Sequence, residues 1–315
     1  MENKGPLLCL AGPTASGKTA LSFELADRYH SELISVDSAL VFRSMDIGTA
    51  KPTPIERKQM PHHLIDIVDP SEHYSVARFL SESKLSISHI RQKHKLPIMV
   101  GGTMLYFKAL IEGLAELPDR DNAIRMAIEI EATEIGWAAL HAKLLSLDPI
   151  TATKIDKNDT QRIQRALEVI KLTGKPVSES LDAQKSTGKD TEILALFPSD
   201  RSWLHHRIEQ RFDIMIKSGF LDEVRGLMDR GDLDESLPSI RCVGYRQAWG
   251  YLRGEYDYDD FRQKSLAATR QLAKRQLTWL RNWKGKIKYF DPLDACMNQK
   301  FMVYISSKDL NAYEK

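Results

Sequence analysis

The sequence predicts an α/β protein, with an open, mainly parallel sheet interrupted by a helical insertion. Three observations lead there. Short apolar runs alternate with helical patterns, the first run ends in a glycine-rich turn that opens a helix, and between Glu116 and Asp190 helical periodicity continues without a convincing strand. The core is expected over residues 1–115 and 191–315, and the insertion over residues 116–190.

Leu7-Leu8-Cys9-Leu10-Ala11, bounded by Gly-Pro, is the continuous apolar run of a strand buried on both faces. Lys18 to Tyr29 follows as a helix with Leu21, Leu25 and Ala26 on its apolar face. Further strands are expected at Leu33–Val36, Leu64–Val68, Pro97–Val100, Ile193–Phe197 and Ile287–Phe290. In the insertion, Asn122 to Leu147 reads as one long helix that stops before Asp148-Pro149. Asp159 or Thr160 caps a second, which ends at Gly174 with Pro176 just beyond. Its buried stripe is expected to be Ile163, Leu167 and Ile170, with Gln161, Arg165 and Glu168 on another face. Two more helical blocks run from about Ser202 to Met228 and from about Tyr258 to Trp283.

Composition bounds the function. A chain of 315 residues with 42% apolar and 28% charged residues buries a sizeable core, which excludes a disordered or collagen-like protein. Three cysteines without a close pair, Cys9, Cys242 and Cys296, support neither a disulfide framework nor a cysteine zinc site, and point to a reducing compartment. The amino-terminal residues lack the shape of a signal peptide, and the uncharged stretches fall short of the roughly 20 apolar residues of a membrane span. A cytoplasmic protein without membrane contact is expected, and nothing in the sequence demands an obligate interface, so a monomer is expected too.

Gly12-Pro13-Thr14-Ala15-Ser16-Gly17-Lys18-Thr19 fits the P-loop pattern, directly after a strand and opening a helix. Backbone N–H groups of such a loop curl around phosphate oxygens at the positive end of the helix. Lys18 adds a charge, and the Thr19 hydroxyl is placed to ligate Mg2+. The expected core is therefore P-loop NTPase-like and binds a diphosphate or triphosphate. Thr153-Lys154-Ile155-Asp156 superficially resembles a guanine-reading loop, but no strand precedes it and no D-x-x-G occurs.

Reactive groups of an open α/β sheet gather at the carboxyl ends of its strands. Leu33–Val36 ends in Asp37-Ser38, and Pro97–Val100 ends in Gly101-Gly102-Thr103. Asp37 is placed to take a proton or to hold magnesium through water, and Thr103 to donate a hydrogen bond. Spacing alone leaves open that Asp37 caps a turn and Thr103 the helix after it. The loop Asp46–Pro52 reads as structural, and the pairs His62-His63 and His205-His206 as packing or surface residues, since adjacent side chains diverge.

The net charge of +2 conceals an asymmetry. Phe261 to Phe290 contains nine Lys or Arg (Arg262, Lys264, Arg270, Lys274, Arg275, Arg281, Lys284, Lys286, Lys288) and no acid, so the rest of the chain sums to −7. On a helix Arg270, Lys274 and Arg281 share one face, while Leu272, Trp279 and Trp283 fall on another that can dock. A phosphate-backbone partner is expected for this segment.

Taken together, the motifs closely resemble those of bacterial tRNA dimethylallyltransferases, also called tRNA isopentenyltransferases. The matching stretches are GPTASGKT at 12–19, VDSALVFRSMDIGTAKP at 36–52, VGGTMLYFKAL at 100–110, QRIQRALE at 161–168, RIEQRFDIM at 207–215, RCVGYRQ at 241–247 and KRQLTWLR at 274–281. Phe42 and Ser44 depart from the commoner Tyr and Gly. The resemblance implies that the P-loop holds dimethylallyl diphosphate, with Arg211 assisting, and that the amine of the adenosine just 3′ of the anticodon attacks it. Asp37 is then the general base, and Thr103 orients the amine or the bridging oxygen. It further implies contacts to the tRNA anticodon stem-loop from Asp37, Ser38, Ala39, Leu40, Thr103 and Arg125. Gln161, Arg162, Ile163, Gln164 and Arg165 join them, as do Arg241, Cys242, Val243, Gly244, Tyr245 and Arg246. The last group is Lys274, Arg275, Gln276, Leu277, Thr278, Trp279, Leu280 and Arg281. A prenyltransferase of free adenosine monophosphate, a P-loop metabolite kinase and an RNA-binding nucleotide switch are the rival readings.

Overall fold

A computed structural model describes residues 5–115, 117–182 and 191–315. Its contacts divide the chain into two units, residues 1–111 with 189–315, and residues 112–188.

The first unit opens with β1 (Leu8–Ala11), α1 (Lys18–Arg28), β2 (Ser31–Val36), α2 (Pro54–Gln59), β3 (His62–His63), α3 (Val76–Gln92), β4 (Leu96–Gly101) and α4 (Met104–Glu112). The second unit holds α5 (Asn122–Ile135), α6 (Trp137–Leu147), α7 (Pro149–Ala152), α8 (Thr160–Thr173) and α9 (Val177–Asp182). The chain returns with β5 (Ile193–Leu196), α10 (Arg201–Lys217), α11 (Phe220–Met228), α12 (Tyr245–Leu252), α13 (Tyr258–Arg281), β6 (Ile287–Phe290) and α14 (Met297–Ser306).

Six strands form one sheet in the order β3-β2-β4-β1-β5-β6, with every pairing parallel. Because side chains alternate along a strand, Leu8 and Leu10 pack with Leu21 and Leu25 of α1 and Phe301 and Ile305 of α14 on one face. Cys9 and Ala11 face Phe79, Ile90 and Phe107 of α3 and α4 on the other. Both faces are covered, which is why the strands read as continuous apolar runs. Phe301 and Ile305 have no exposed surface, and burial of each stabilises the docked α14 by about 2 kcal/mol, so α14 belongs to the core. A third cluster, centred on Phe212, Phe220, Tyr245 and Phe261, joins α10 to α13 with Val41, Phe42 and Met45.

Several elements differ from expectation. The strand expected at Leu64–Val68 is displaced to His62–His63, because Leu64 and Asp66 adopt left-handed backbone angles (φ 62° and 56°) that end the ladder. The helix expected over 202–228 breaks at Ser218-Gly219, where Gly219 has φ 93°. The apolar face of α13 is Phe261, Leu266, Ala273, Leu277 and Leu280, whereas Trp279 is 38% exposed. The acid-free segment is also partly neutralised by its neighbours. Arg262 pairs with Glu209 (2.8 Å) and Asp213 (3.2 Å), and Lys264 with Asp260 (3.2 Å).

In the second unit the long helix is two, α5 and α6, divided by Gly136 at φ 83° and ψ 154°, outside the helical region. Asp159 caps α8 by accepting from the Arg162 N–H, and Gly174 ends it in the left-handed conformation. Glu168, expected on a polar face, is buried instead. Its carboxylate accepts from the Asp121 N–H (2.8 Å), Arg125 (3.2 Å) and Arg165 (2.9 Å), so α5 and α8 are joined through one acid. Removing it by Glu168→Ala would take from two guanidinium groups and an N–H the carboxylate they share, at a cost of about 3 kcal/mol. Amide exchange in α5 and α8 should then accelerate by about a hundredfold. Unchanged protection would show that the cluster is dispensable.

Candidate active site

The loop between β1 and α1 turns through Ala15 (φ 63°) and Gly17 (φ 97°), the latter a conformation that a side chain strains. It places Lys18 and Thr19 in the first turn of α1. The Lys18 ammonium donates to the carbonyls of Gly12 (2.9 Å) and Pro13 (2.7 Å), and Arg207 donates to the Ala15 carbonyl (2.8 Å). Buried Gln276 of α13 spans two strand ends, accepting from the Thr14 N–H (2.8 Å) and donating to the Gly102 carbonyl (3.0 Å). The phosphate loop is thereby tied to the turn after β4.

These elements surround a cavity of about 600 Å³. Lys18, Arg211, Arg241 and Arg275 line it, against one carboxylate, Asp37, among the described residues. Burial, reinforced by the neighbouring Arg211 and opposed by Asp37, pushes the Lys18 ammonium down to about 7. Burial likewise pushes the Arg211 guanidinium down, with Asp37 opposing. Cys242, also in the lining, is pushed up to about 12 by burial and the Asp37 charge, which keeps it a neutral thiol at neutral pH and removes it as a nucleophile.

Asp37 follows β2, and it makes the turn cap that its position allowed. Its Oδ1 caps the turn by accepting from the N–H groups of Ala39 (2.8 Å) and Leu40 (3.4 Å), while Oδ2 has no hydrogen bond to a described residue. The Thr103 hydroxyl does not cap α4. It accepts from the Ser38 N–H (3.1 Å), tying the end of β4 to the end of β2, and its own proton remains available for donation. The two strands approach closely here, since a Cβ at Gly101 would lie 2.0 Å from the Val36 carbonyl oxygen.

The donors in the cavity are hard oxygens. Exposed Thr19 Oγ1 and the free Asp37 oxygen share it, and no cluster of three or more His, Cys, Asp or Glu suited to a metal occurs among the described residues. Such a set fits a hydrated magnesium held jointly with a phosphate, and not an all-protein cage.

Sequence reasoning missed Glu223 and Lys51. Glu223 accepts from the consecutive N–H groups of Asp46, Ile47 and Gly48. Buried Lys51 donates to the Phe42 carbonyl (2.8 Å), Asp46 (2.6 Å) and Asp66 (2.5 Å). The loop they fix supplies the Thr49 carbonyl, which accepts from Arg211 (3.0 Å). The only signal in the sequence was an acid beyond a glycine on an amphipathic helix, which does not distinguish Glu223 from a solvated residue. Of the histidines, His63 donates to the Glu32 carboxylate (2.7 Å) and His62 lies edge-on to Phe23.

The residues implied for tRNA contact divide by exposure. Ser38, Arg241, Arg246, Lys274, Arg275, Thr278, Trp279 and Arg281 are exposed, and Ala39, Leu40, Cys242, Val243 and Gly244 half-buried. In the second unit Gln161 and Arg162 are exposed, whereas Arg125 and Arg165 are engaged by Glu168. Ile163, Leu277 and Leu280 are buried in apolar clusters, and Gln164 is buried with its amide on the Arg125 carbonyl and Glu129. Tyr245 and Gln276 are buried as well, although both line the cavity.

Residues 40–283 match the family model described as IPP transferase. The chain is 56% identical over 283 residues to a tRNA dimethylallyltransferase of Ralstonia pickettii, covering 87% of each, and 55% identical to one of Paraburkholderia phymatum, covering 90% of each. Among solved structures, a tRNA isopentenylpyrophosphate transferase of Bacillus halodurans superposes with a TM-score of 0.69 at 39% identity, covering 96% of each chain. A eukaryotic dimethylallyltransferase acting on tRNA superposes with a TM-score of 0.82 at 29% identity, over 98% of this chain and 81% of that one. A parallel sheet with a phosphate loop, one free carboxylate among four cations and this degree of likeness agree: the chain belongs to the IPP transferase family, that of the tRNA dimethylallyltransferases.

Proposed function

We propose that this protein transfers the dimethylallyl group from dimethylallyl diphosphate to the exocyclic N6 amine of the adenosine 3′ of the anticodon, in tRNAs reading codons that begin with U. The observation that carries the reading is the cavity in which Lys18, Arg211, Arg241 and Arg275 face the single carboxylate of Asp37 beside the phosphate loop. Four cations suit a diphosphate and an RNA backbone, and one carboxylate with a free oxygen suits a base. Among the described residues no second carboxylate lines the cavity.

The N6 atom attacks the first allylic carbon, the carbon–oxygen bond breaks, and diphosphate leaves with the bonding electrons. Negative charge grows on the leaving oxygens during this step. Loop N–H groups, Lys18 and Arg211 stabilise it there, and cost no reorganisation because they are already fixed. Thr19 would hold magnesium bound with the diphosphate, whose charge would further neutralise the leaving group. Asp37 Oδ2 takes the proton from N6, while Oδ1 stays bound in the turn and keeps the carboxylate aimed. Thr103 donates to the amine or the bridging oxygen. An adenine amine is a weak nucleophile, so placement matters at least as much as proton removal. The base must leave its stack to enter a cavity, as in other base-modifying enzymes. Action in the cytoplasm as a monomer belongs to the same proposal.

The direct test incubates the protein with magnesium, dimethylallyl diphosphate and unmodified tRNA, and reads the mass of digested nucleosides. A prenylated adenosine is expected. Turnover of ATP on a small acceptor with no such product would instead indicate a kinase.

Asp37→Asn keeps an acceptor for the turn and removes the base. Turnover should fall by about a hundredfold or more with tRNA affinity nearly intact, and near-normal turnover would exclude Asp37 as the base. Lys18, held near 7 in the open cavity, is charged below that pH and neutral above it. An incoming diphosphate restores its charge, so binding at about pH 8 should take up a proton, and affinity should weaken up to about tenfold per unit above neutrality. Calorimetry in buffers of different ionisation enthalpy measures this uptake, and Lys18→Met should abolish it. Neutralising Lys274 and Arg281 together should reduce the salt slope of tRNA binding by about 2. An unchanged slope would make that surface an ordinary solvated face.

A further inference from the structure

We propose that Glu223 is a positioning residue for Arg211 and, through it, for the diphosphate. The inference rests on the prenyl-transfer reading above. Glu223 lies on α11, outside the cavity lining, yet its carboxylate gathers four donors. Oε2 accepts from the N–H groups of Asp46 and Ile47, both at 2.7 Å. Oε1 accepts from the Gly48 N–H at 3.1 Å and from the Tyr245 hydroxyl at 2.5 Å.

Three consecutive amides converging on one carboxylate fix the backbone of 46–48 in position and direction. Gly48 is pressed so tightly into this arrangement that a Cβ would lie 2.2 Å from the Phe220 ring and 2.6 Å from that of Tyr245. The loop therefore has little room to shift. The next residue supplies the carbonyl that accepts from Arg211 Nη2 at 3.0 Å. Thr49 is itself braced, its hydroxyl donating to the Met45 carbonyl at 2.7 Å. Lys51 holds the loop from the other side through Asp46 and the Phe42 carbonyl. The path from Glu223 to Arg211 is thus one loop and two hydrogen-bonded junctions, with no flexible segment between them.

A carboxylate is required at this place. It offers acceptors on both oxygens, whereas an amide would turn an NH2 group toward backbone N–H donors and repel part of the loop. Glu223→Gln consequently changes the hydrogen-bond polarity at nearly constant volume. Arg211 keeps its side chain but loses its fixed carbonyl partner, and the guanidinium then samples positions away from the diphosphate.

A double-mutant cycle tests this, with Glu223→Gln and Arg211→Ala made singly and together. Glu223→Gln alone should raise the KM for dimethylallyl diphosphate about tenfold while tRNA affinity stays unchanged, and should add less than about twofold once Arg211 is absent. Equal factors in both backgrounds would make Glu223 a general structural residue and overturn the proposal, as would an unchanged KM in the Arg211 background. The same cycle is read without catalysis from the affinity for inorganic pyrophosphate with magnesium. If Glu223→Gln does not yield folded protein, Tyr245→Phe removes one of the four donors. It should weaken pyrophosphate binding about threefold, again only when Arg211 is present. Coupled pyrophosphate binding without prenyl transfer to any tRNA would retire the function proposed above and leave this inference standing. Prenyl transfer without the coupling would do the reverse.

Discussion

Two cations held beside each other in a partly closed cavity are an electrostatic burden that the protein carries until an anion arrives. Lys18 shows it most directly, since its ammonium is weakened by burial and by Arg211 together. A flexible chain would relieve that repulsion by moving the side chains apart. Here it cannot, because Lys18 is bound to the carbonyls of its own loop and Arg211 to the Thr49 carbonyl. Much of the surrounding structure consists of the restraints that keep this arrangement from relaxing. Gln276 anchors the loop on one side, and the 46–51 segment anchors Arg211 on the other. In the proposed reaction the diphosphate binds to charges already in place, and the free energy of ordering them is spent during folding.

The fold and the site were legible to different depths. The strands could be read because a parallel sheet buried on both faces demands continuous apolar runs such as Leu7–Ala11, and the phosphate loop because its backbone needs glycine at fixed places. Helix breaks were less legible. Gly136 and Gly219 lie inside patterns whose apolar periodicity continues across them, and periodicity alone does not reveal a left-handed residue. Asp37 and Thr103 stood out through their place after strands. Glu223 and Glu168 did not, since an acid that binds backbone amides in the interior has the same one-letter signature as an acid in water. Family likeness named Arg211 but could not say what holds it.

Charge follows the same distinction between count and placement. An acid-free segment suggested a uniformly basic surface, yet Arg262 is neutralised by two acids of α10, and Gln276 and Leu277 turn inward. What remains outward on α13 is a shorter set, Lys274, Arg275 and Arg281, with Trp279 among them. Arg275 and Trp279 also line the cavity, so one helix serves both the interior of the site and its rim.

The far end of the chain has a bearing on the phosphate loop that its position conceals. Beyond α14, the Tyr313 carbonyl accepts from the His30 N–H (2.7 Å), and the Lys315 N–H donates to the Arg28 carbonyl (3.0 Å). Both contacts fall at the carboxyl end of α1, the helix whose opposite end carries Lys18 and Thr19, roughly 15 Å away along its axis. The tail therefore works as a heel plate under the helix that presents Lys18 to the cavity. An affinity handle joined after Lys315 would leave that support in place, whereas removing the segment from Phe301 onward would strip the helix of its backing.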